Sequence, residues 1–237
     1  MKPPSLQDRI AACDWPAIDE QLDAYGVGLL GPLLIPEECR GLIETYDRDD
    51  AFRSKVVMAR HGFGRGEYKY FAAPLPKVIA TIRRDVYPHA AKIANRWAQQ
   101  LGTDLSFPTK HADMLQRCHA AGQVRPTPLL LKYQAGDFTC LHQDIYGAHV
   151  FPLQLVILLS DTSDFSGGEL VMTEQRPRMQ SRVEVVPLQQ GEAALFAVNE
   201  RPRQGTKGYH RVKLRHGVSR VRSGQRFTAG VIFHDAQ

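Results

Sequence analysis

The stretch LLLKYQAGDFTCLHQD, residues 129–144, decides the reading of this chain. Leu129 to Gln134 has the apolar character of a buried strand, and Ala135-Gly136-Asp137 is a turn signal. Phe138 to Asp144 then resumes as a short strand. His142 and Asp144 are two apart, so an extended backbone points both side chains the same way. The same texture continues downstream. Phe151 to Ser160 is a near-continuous apolar run, and Phe165-Ser166-Gly167-Gly168-Glu169-Leu170 is a glycine turn entering a strand. Arg182 to Pro187 alternates in the period of a half-buried strand, and Gln190 to Phe196 is again turn and strand. His216-Gly217-Val218 precedes Gly224-Gln225-Arg226 and a last strand ending at Phe233. Short strands with glycine turns from about residue 127 to 234 predict a jelly-roll or barrel.

Two imidazoles and one carboxylate form the facial set that holds non-haem Fe(II) and leaves coordination positions open for substrate and O₂. His142, Asp144 and His216 supply these groups if the strands bring them together. Arg226, ten residues past His216, adds a planar cation suited to bidentate binding of an organic acid's far carboxylate. Each element alone is common: a His-x-Asp pair often caps or decorates a surface, and a lone histidine before a strand is usually structural. Their joint occurrence among successive strands singles them out.

With these motifs, residues 127–235 resemble the 2-oxoglutarate/Fe(II) oxygenase superfamily, whose core is a double-stranded β-helix. The matching elements are Tyr133-x-x-Gly136-Asp137, His142-x-Asp144, Phe165-x-Gly167-Gly168-Glu169-Leu170, Gly191 to Phe196, His216-Gly217-Val218 and Gly224-x-Arg226. Gly31 to Cys39 is similar to the strand-to-helix entry of prolyl-hydroxylase-like members. The resemblance implies an α+β fold, with a jelly-roll, cupin-like core backed by N-terminal helices. It implies His142, Asp144 and His216 as iron ligands and Arg226 as the partner of the distal carboxylate of 2-oxoglutarate. Thr228 would donate a hydroxyl from the same strand face. Tyr133 would be a co-substrate donor, or else a core tyrosine. Fe(II), 2-oxoglutarate and O₂ would be consumed or used, with succinate and CO₂ released and substrate hydroxylated.

The whole chain also resembles a bacterial family of these oxygenases associated with oxidative demethylation of damaged DNA. The ten-residue spacing from His216 to Arg226 is instead more like that of the prolyl and peptidyl hydroxylases. Alkylated DNA or RNA is therefore one substrate reading, and a peptide or small molecule is the other. A non-catalytic cupin-like binding module is a third reading, against which the intact triad and Arg226 stand.

At 237 residues the chain suits a single domain, with 1–126 as mainly helical support and 127–237 as the catalytic core. Helices are expected over 6–25 (interrupted around Pro16), 36–46, 75–101 (broken or kinked at Pro88) and 112–121. The longest apolar stretches are about ten residues, too short to span a bilayer. The N-terminus lacks a signal-peptide pattern, and Cys13, Cys39, Cys118 and Cys140 show no CxxC spacing. Both features read as a reducing cytoplasm.

Charge is uneven. Residues 1–50 carry eleven acids and four bases, whereas 201–226 carry nine Lys/Arg and no Asp/Glu. A basic rim attracts polyanions, nucleic acid foremost, although it can also be a solvated face. Val56 to Phe71 interleaves Arg60, Arg65 and Lys69 with Phe63, Tyr68, Tyr70 and Phe71, and has glycines at 62, 64 and 66. This composition fits a mobile lid. Its Arg60, Arg65, Tyr68 and Tyr70 would contact either a flipped or single-stranded base or a peptide. His111, His119, His149 and His210 have no assigned role, and His234-Asp235 falls after Arg226, where the family pattern has no ligand.

Overall fold

The computed structural model describes residues 3–175 and 179–237. Helices α1 (Leu6–Ala11) and α2 (Trp15–Tyr25) lead into β1 (Val27–Pro32). The break between the helices falls before Pro16. Asp14 caps α2 by accepting from the Ala17 N–H, and Pro16 sits in the first turn, where its missing N–H has no helical partner to lose. Then come α3 (Pro36–Glu44), β2 (Phe52–Val57), β3 (Gly64–Arg65), β4 (Glu67–Phe71), α4 (Lys77–Gln100) and α5 (His111–Ala120). The second half is built of β5 (Leu129–Gln134), β6 (Phe138–His142), β7 (Leu153–Leu158), β8 (Phe165–Gly167) and β9 (Leu170–Gln175). It continues with β10 (Arg182–Val186), β11 (Glu192–Ala197), β12 (Glu200–Gly205), β13 (Gly208–Val218) and β14 (Val221–Ile232).

The larger sheet runs β1-β11-β7-β14-β5-β4-β2, with β8 on β14. The smaller runs β10-β9-β13-β6-β3, with β12 on β13. Within them, β11-β7-β14-β5 and β10-β9-β13-β6 face each other as the two walls of a double-stranded β-helix, the α+β architecture expected. The first half is less purely helical than its composition implies, since β1, β2 and β4 extend the larger sheet and β3 the smaller. Segment 56–71 is correspondingly no free lid. β4 pairs with β5, β3 pairs with β6, and the Met58 N–H bonds the Gly66 carbonyl. Gly64, at φ +122, lies so close to β6 that a Cβ would meet the Phe138 carbonyl oxygen at 2.3 Å.

Of the break or kink expected at Pro88, the break is absent: α4 passes through Pro88 as one helix. A mid-helix proline costs about 3 kcal/mol. On the same helix Ile79, Ile82, Val86, Tyr87, Ile93 and Trp97 are buried, and each large apolar side chain contributes roughly 1.5–3 kcal/mol. Tertiary burial therefore outweighs the local penalty.

A buried polar network ties α4 and α5 to the end of β14. Arg83 donates to the Ile232 carbonyl at 2.8 Å and to Asp235 at 2.7 Å, and His119 meets the other Asp235 oxygen at 2.9 Å. His111 Nε2 bonds the Phe233 carbonyl, and His234 Nδ1 accepts from the Phe151 N–H. The histidines here are structural. Burial, with Arg83 nearby, lowers the pKa of both His111 and His234 to about 4. Both are therefore neutral in the folded state, while the unfolded chain takes up protons from about pH 6.5 downward. The stability they contribute is complete above about 6.5 and is lost progressively as pH falls from there to about 4, on the order of 3 kcal/mol each. Melting at pH 7 and pH 4.5 is expected to show a smaller acid loss for His111→Gln/His234→Asn than for the unaltered protein. An equal loss would refute the assignment.

Candidate active site

β6 and β13 are paired so that His142 lies opposite His216, and Asp144 follows just past the end of β6. His142 Nε2 is 3.5 Å from Asp144 Oδ1, and His216 Nε2 is 3.4 Å from Asp144 Oδ2. One ligand atom from each of the three lies within 4.8 Å of the others. His142 Nδ1 is 2.8 Å from the Cys140 carbonyl oxygen, which fixes the proton there and leaves the Nε2 lone pair facing Asp144. Burial, reinforced by His216, holds the His142 pKa below its ordinary value and so keeps the ring neutral. Burial alone would raise the Asp144 pKa, but hydrogen bonding and proximity to His216 prevail and bring it to about 2. A carboxylate ionised beside a neutral imidazole is the protonation state in which these groups accept a divalent metal.

Arg226 stands on β14 opposite Tyr133 of β5. It is buried, and burial lowers its pKa to about 10, so it stays a cation at neutral pH. Among the described residues no carboxylate lies within ion-pair distance of it, and its Nη1 has no hydrogen-bond partner. Gly168, at φ +70, makes room for it, since a Cβ there would meet Arg226 Cδ at 2.8 Å. An unpaired buried guanidinium is unfavourable unless an anion joins it. Thr228 lines the same cavity. Tyr133 is fully buried, it lines the cavity, and its hydroxyl is 2.6 Å from Thr139 Oγ1. Burial raises its pKa to about 12, so the hydroxyl keeps its proton.

The cavity, about 340 Å³, is lined by the histidine–aspartate cluster, Arg226, Thr228 and Tyr133, and also by Phe63, Tyr68, Tyr70 and Tyr146. The Tyr68 and Tyr70 rings meet edge-on at 5.4 Å, and the Arg53 guanidinium lies 4.4 Å over Tyr70. Two of the four expected substrate residues are thus in the wall. The other two, Arg60 and Arg65, are exposed and outside the lining, and Arg65 lies 4.0 Å from Asp137. Lys69 turns inward and bonds the Tyr46 carbonyl and Asp49.

The basic stretch 201–226 is likewise not a uniform rim. Arg201 and Arg203 pair with Glu174, Arg211 and Lys213 pair with Glu200, and Arg226 is inside. Lys207, Arg215, Arg220 and Arg222 remain exposed, with no ion pair among the described residues. Sequence reading missed Tyr146, two residues past Asp144, and Gln154, whose signal is a single polar residue inside the apolar β7. His149 bonds Gln123 through its backbone, and His210 is exposed on β13; neither lines the cavity.

A double-stranded β-helix holding such a cluster beside a buried, unpaired arginine defines the class of 2-oxoglutarate/Fe(II) oxygenases. The sequence matches the model of the Oxygenase-NA family, "oxygenase, catalysing oxidative methylation of damaged DNA", over residues 66–236, and the chain belongs to that family. It is 46% identical over 167 residues to an uncharacterized protein of Mycobacterium tuberculosis, covering 70% of this chain and 72% of the relative. Its fold is similar to a Pseudomonas putida prolyl-4-hydroxylase (TM-score 0.52, 13% identity, 94% of this chain and 99% of that one). It is also similar to an oxidoreductase of the 2OG-Fe(II) oxygenase family from Burkholderia pseudomallei (0.50, 14%, 99% and 94%). A third similar structure is the non-heme alpha ketoglutarate dependent epimerase SnoN from nogalamycin biosynthesis (0.56, 14%, 91% and 80%). At these identities the structural likeness is one of fold. The protein is a 2-oxoglutarate-dependent dioxygenase using Fe(II), 2-oxoglutarate and O₂. Among the described residues no helix is long and apolar enough to cross a membrane.

Proposed function

We propose that this oxygenase removes methyl groups from alkylated bases of DNA or RNA. In this reading His142, Asp144 and His216 hold Fe(II), and Arg226, with Thr228 and Tyr133, holds 2-oxoglutarate. The observation that carries it is one enclosure shared by the metal-competent cluster, an unpaired buried arginine and a tyrosine-rich wall. When bound, iron and co-substrate supply the oxidation: O₂ converts 2-oxoglutarate to succinate and CO₂, and its second oxygen atom enters an N-methyl C–H bond, so that the hydroxymethyl group leaves as formaldehyde and the base nitrogen regains a proton.

The chain's own groups prepare this. Cys140 fixes the His142 tautomer, and Asp144 enters already ionised. Arg226 offers its unpartnered Nη1 to the distal carboxylate, with the Thr228 hydroxyl beside it. Tyr68, Tyr70 and Tyr146 present rings to a planar base, and stacking on aromatic side chains contributes roughly 1–3 kcal/mol per base. Arg60 and Arg65 stand outside the cavity on the segment that carries Tyr68 and Tyr70, and are proposed to meet backbone phosphates. All four cysteines are free, which fits a reducing cytoplasm.

The His216-to-Arg226 spacing favours a peptidyl or small-molecule substrate as the second reading. The test is succinate release by the Fe(II)-loaded enzyme with an N-methylated single-stranded oligonucleotide, its unmethylated twin or a proline-containing peptide, with formaldehyde read in parallel. Only the methylated strand is expected to stimulate turnover, and formaldehyde should match the excess succinate. Tyr70→Ala is expected to raise the oligonucleotide KM about 5- to 150-fold, the equivalent of one lost stacking contact. Stimulation by peptide without formaldehyde would overturn the substrate and leave the oxygenase standing.

A further inference from the structure

We propose that Gln143 is a positioning residue of the metal centre, holding the turn that carries Asp144 against β13; the role rests on the ligand reading above. Gln143 stands between His142 and Asp144 in the chain. Its Nε2 donates to the Leu214 carbonyl at 2.7 Å and to Asn199 Oδ1 at 2.5 Å. Leu214 in turn donates its N–H to the Asn199 carbonyl at 2.7 Å. One carboxamide thus joins the residue between two candidate ligands to the residue two before the third, His216.

The strand register explains why a side chain is needed there. The last pair of the β6–β13 ladder is His142 with His216. The β12–β13 ladder occupies β13 up to Lys213, opposite Glu200. Both ladders lie on the edge of β13 away from β9, which pairs with residues 213–218 on the other side. Leu214 falls between them, and there Asn199 meets its N–H and Gln143 its carbonyl. The carboxamide takes the place of the next rung. Past Gln143 no strand pairing resumes among the described residues until β7 begins at Leu153, so Asp144 sits on irregular backbone. The Ile145 N–H returns to the Gln143 carbonyl at 3.2 Å and turns the chain at this point. Held on both sides of that turn, Asp144 keeps its oxygens 3.5 Å from His142 Nε2 and 3.4 Å from His216 Nε2. None of the atoms that Gln143 touches is a candidate ligand atom, so a bound ion does not compete for them. Groups that fix the orientation of metal ligands typically weaken metal binding about 10- to 100-fold when removed.

The test titrates Co(II), without co-substrate, into Gln143→Met, Gln143→Ala and the unaltered protein. Met keeps the length of the side chain and removes the donor, whereas Ala leaves room for water at the Leu214 carbonyl, so a folding defect in one does not decide the matter. Both are expected to bind Co(II) about 10- to 100-fold more weakly, with an altered ligand-field absorption. A hydrogen bond that served the fold alone would lower the metal-free melting temperature and leave affinity and spectrum unchanged. Unchanged Co(II) affinity and spectrum in either folded variant would overturn the proposal. His216→Ala separates the two levels. If it loses Co(II) while Gln143→Met or Gln143→Ala binds as before, only the role of Gln143 falls. If His216→Ala binds as tightly as the unaltered protein, the ligand reading itself falls.

Discussion

Asp144→Asn is expected to reduce divalent metal affinity by roughly a thousandfold and to abolish 2-oxoglutarate turnover, with the fold intact. The amide keeps the shape of the carboxylate and removes its charge. Two unit charges 4 Å apart interact by about 4 kcal/mol at an effective dielectric of 20, equivalent to about a factor of a thousand. A doubly charged ion in direct contact gains more, so this is a lower bound. The two histidines cannot compensate, because neutral imidazoles carry no net charge to offset the ion. The fold has little at stake. Asp144 lies beyond the end of β6, and the pairing of His142 with His216 is made by backbone groups. Calorimetric titration with Co(II), together with thermal melting, checks both halves. Tight binding by Asp144→Asn, or persistent iron-dependent succinate release, would remove Asp144 from the ligand set.

The triad was legible because two of its members sit two apart on an extended segment and the third begins a recognisable histidine–glycine–valine motif. That β13 lies beside β6 was not written in either strand; it follows from the long-range topology that the resemblance carried. Counting charge over 201–226 misled for a related reason. A sum has no direction, and the strands send Arg201 and Arg226 inward while Arg211 and Lys213 find Glu200. The glycines of 56–71 were equally ambiguous, since the same spacing serves a mobile loop or, as at Gly64, a backbone pressed against its neighbour. Pro88 shows burial overriding a local rule. Gln154 was hidden inside a run read as apolar. The informative step is to ask which face of β7 it occupies, and no property of the residue alone answers that.

Arg226→Met is expected to raise the KM for 2-oxoglutarate by roughly 30- to 5,000-fold while leaving the metal-free protein as stable as before, or more so. Truncating one partner of a buried, hydrogen-bonded charge pair costs about 2–5 kcal/mol of binding, roughly 30- to 5,000-fold. Here the pair forms only when the co-substrate arrives. In its absence the guanidinium is buried, its Nη1 has no acceptor, and among the described residues no carboxylate pairs with it. The folded protein carries that desolvation penalty, so an apolar side chain of similar length relieves it. The opposite signs on stability and on KM are what distinguish a binding arginine from a structural one such as Arg83. Arg83 has both a carbonyl and Asp235 as partners, and its removal would leave a buried carboxylate behind. The same asymmetry appears on adding ligand. Excess 2-oxoglutarate should raise the melting temperature of the unaltered protein according to RT ln(1 + [L]/Kd) and leave that of Arg226→Met nearly fixed. If Arg226→Met melts well below the unaltered protein and retains its KM, then Arg226 supports the fold and the co-substrate carboxylate binds elsewhere.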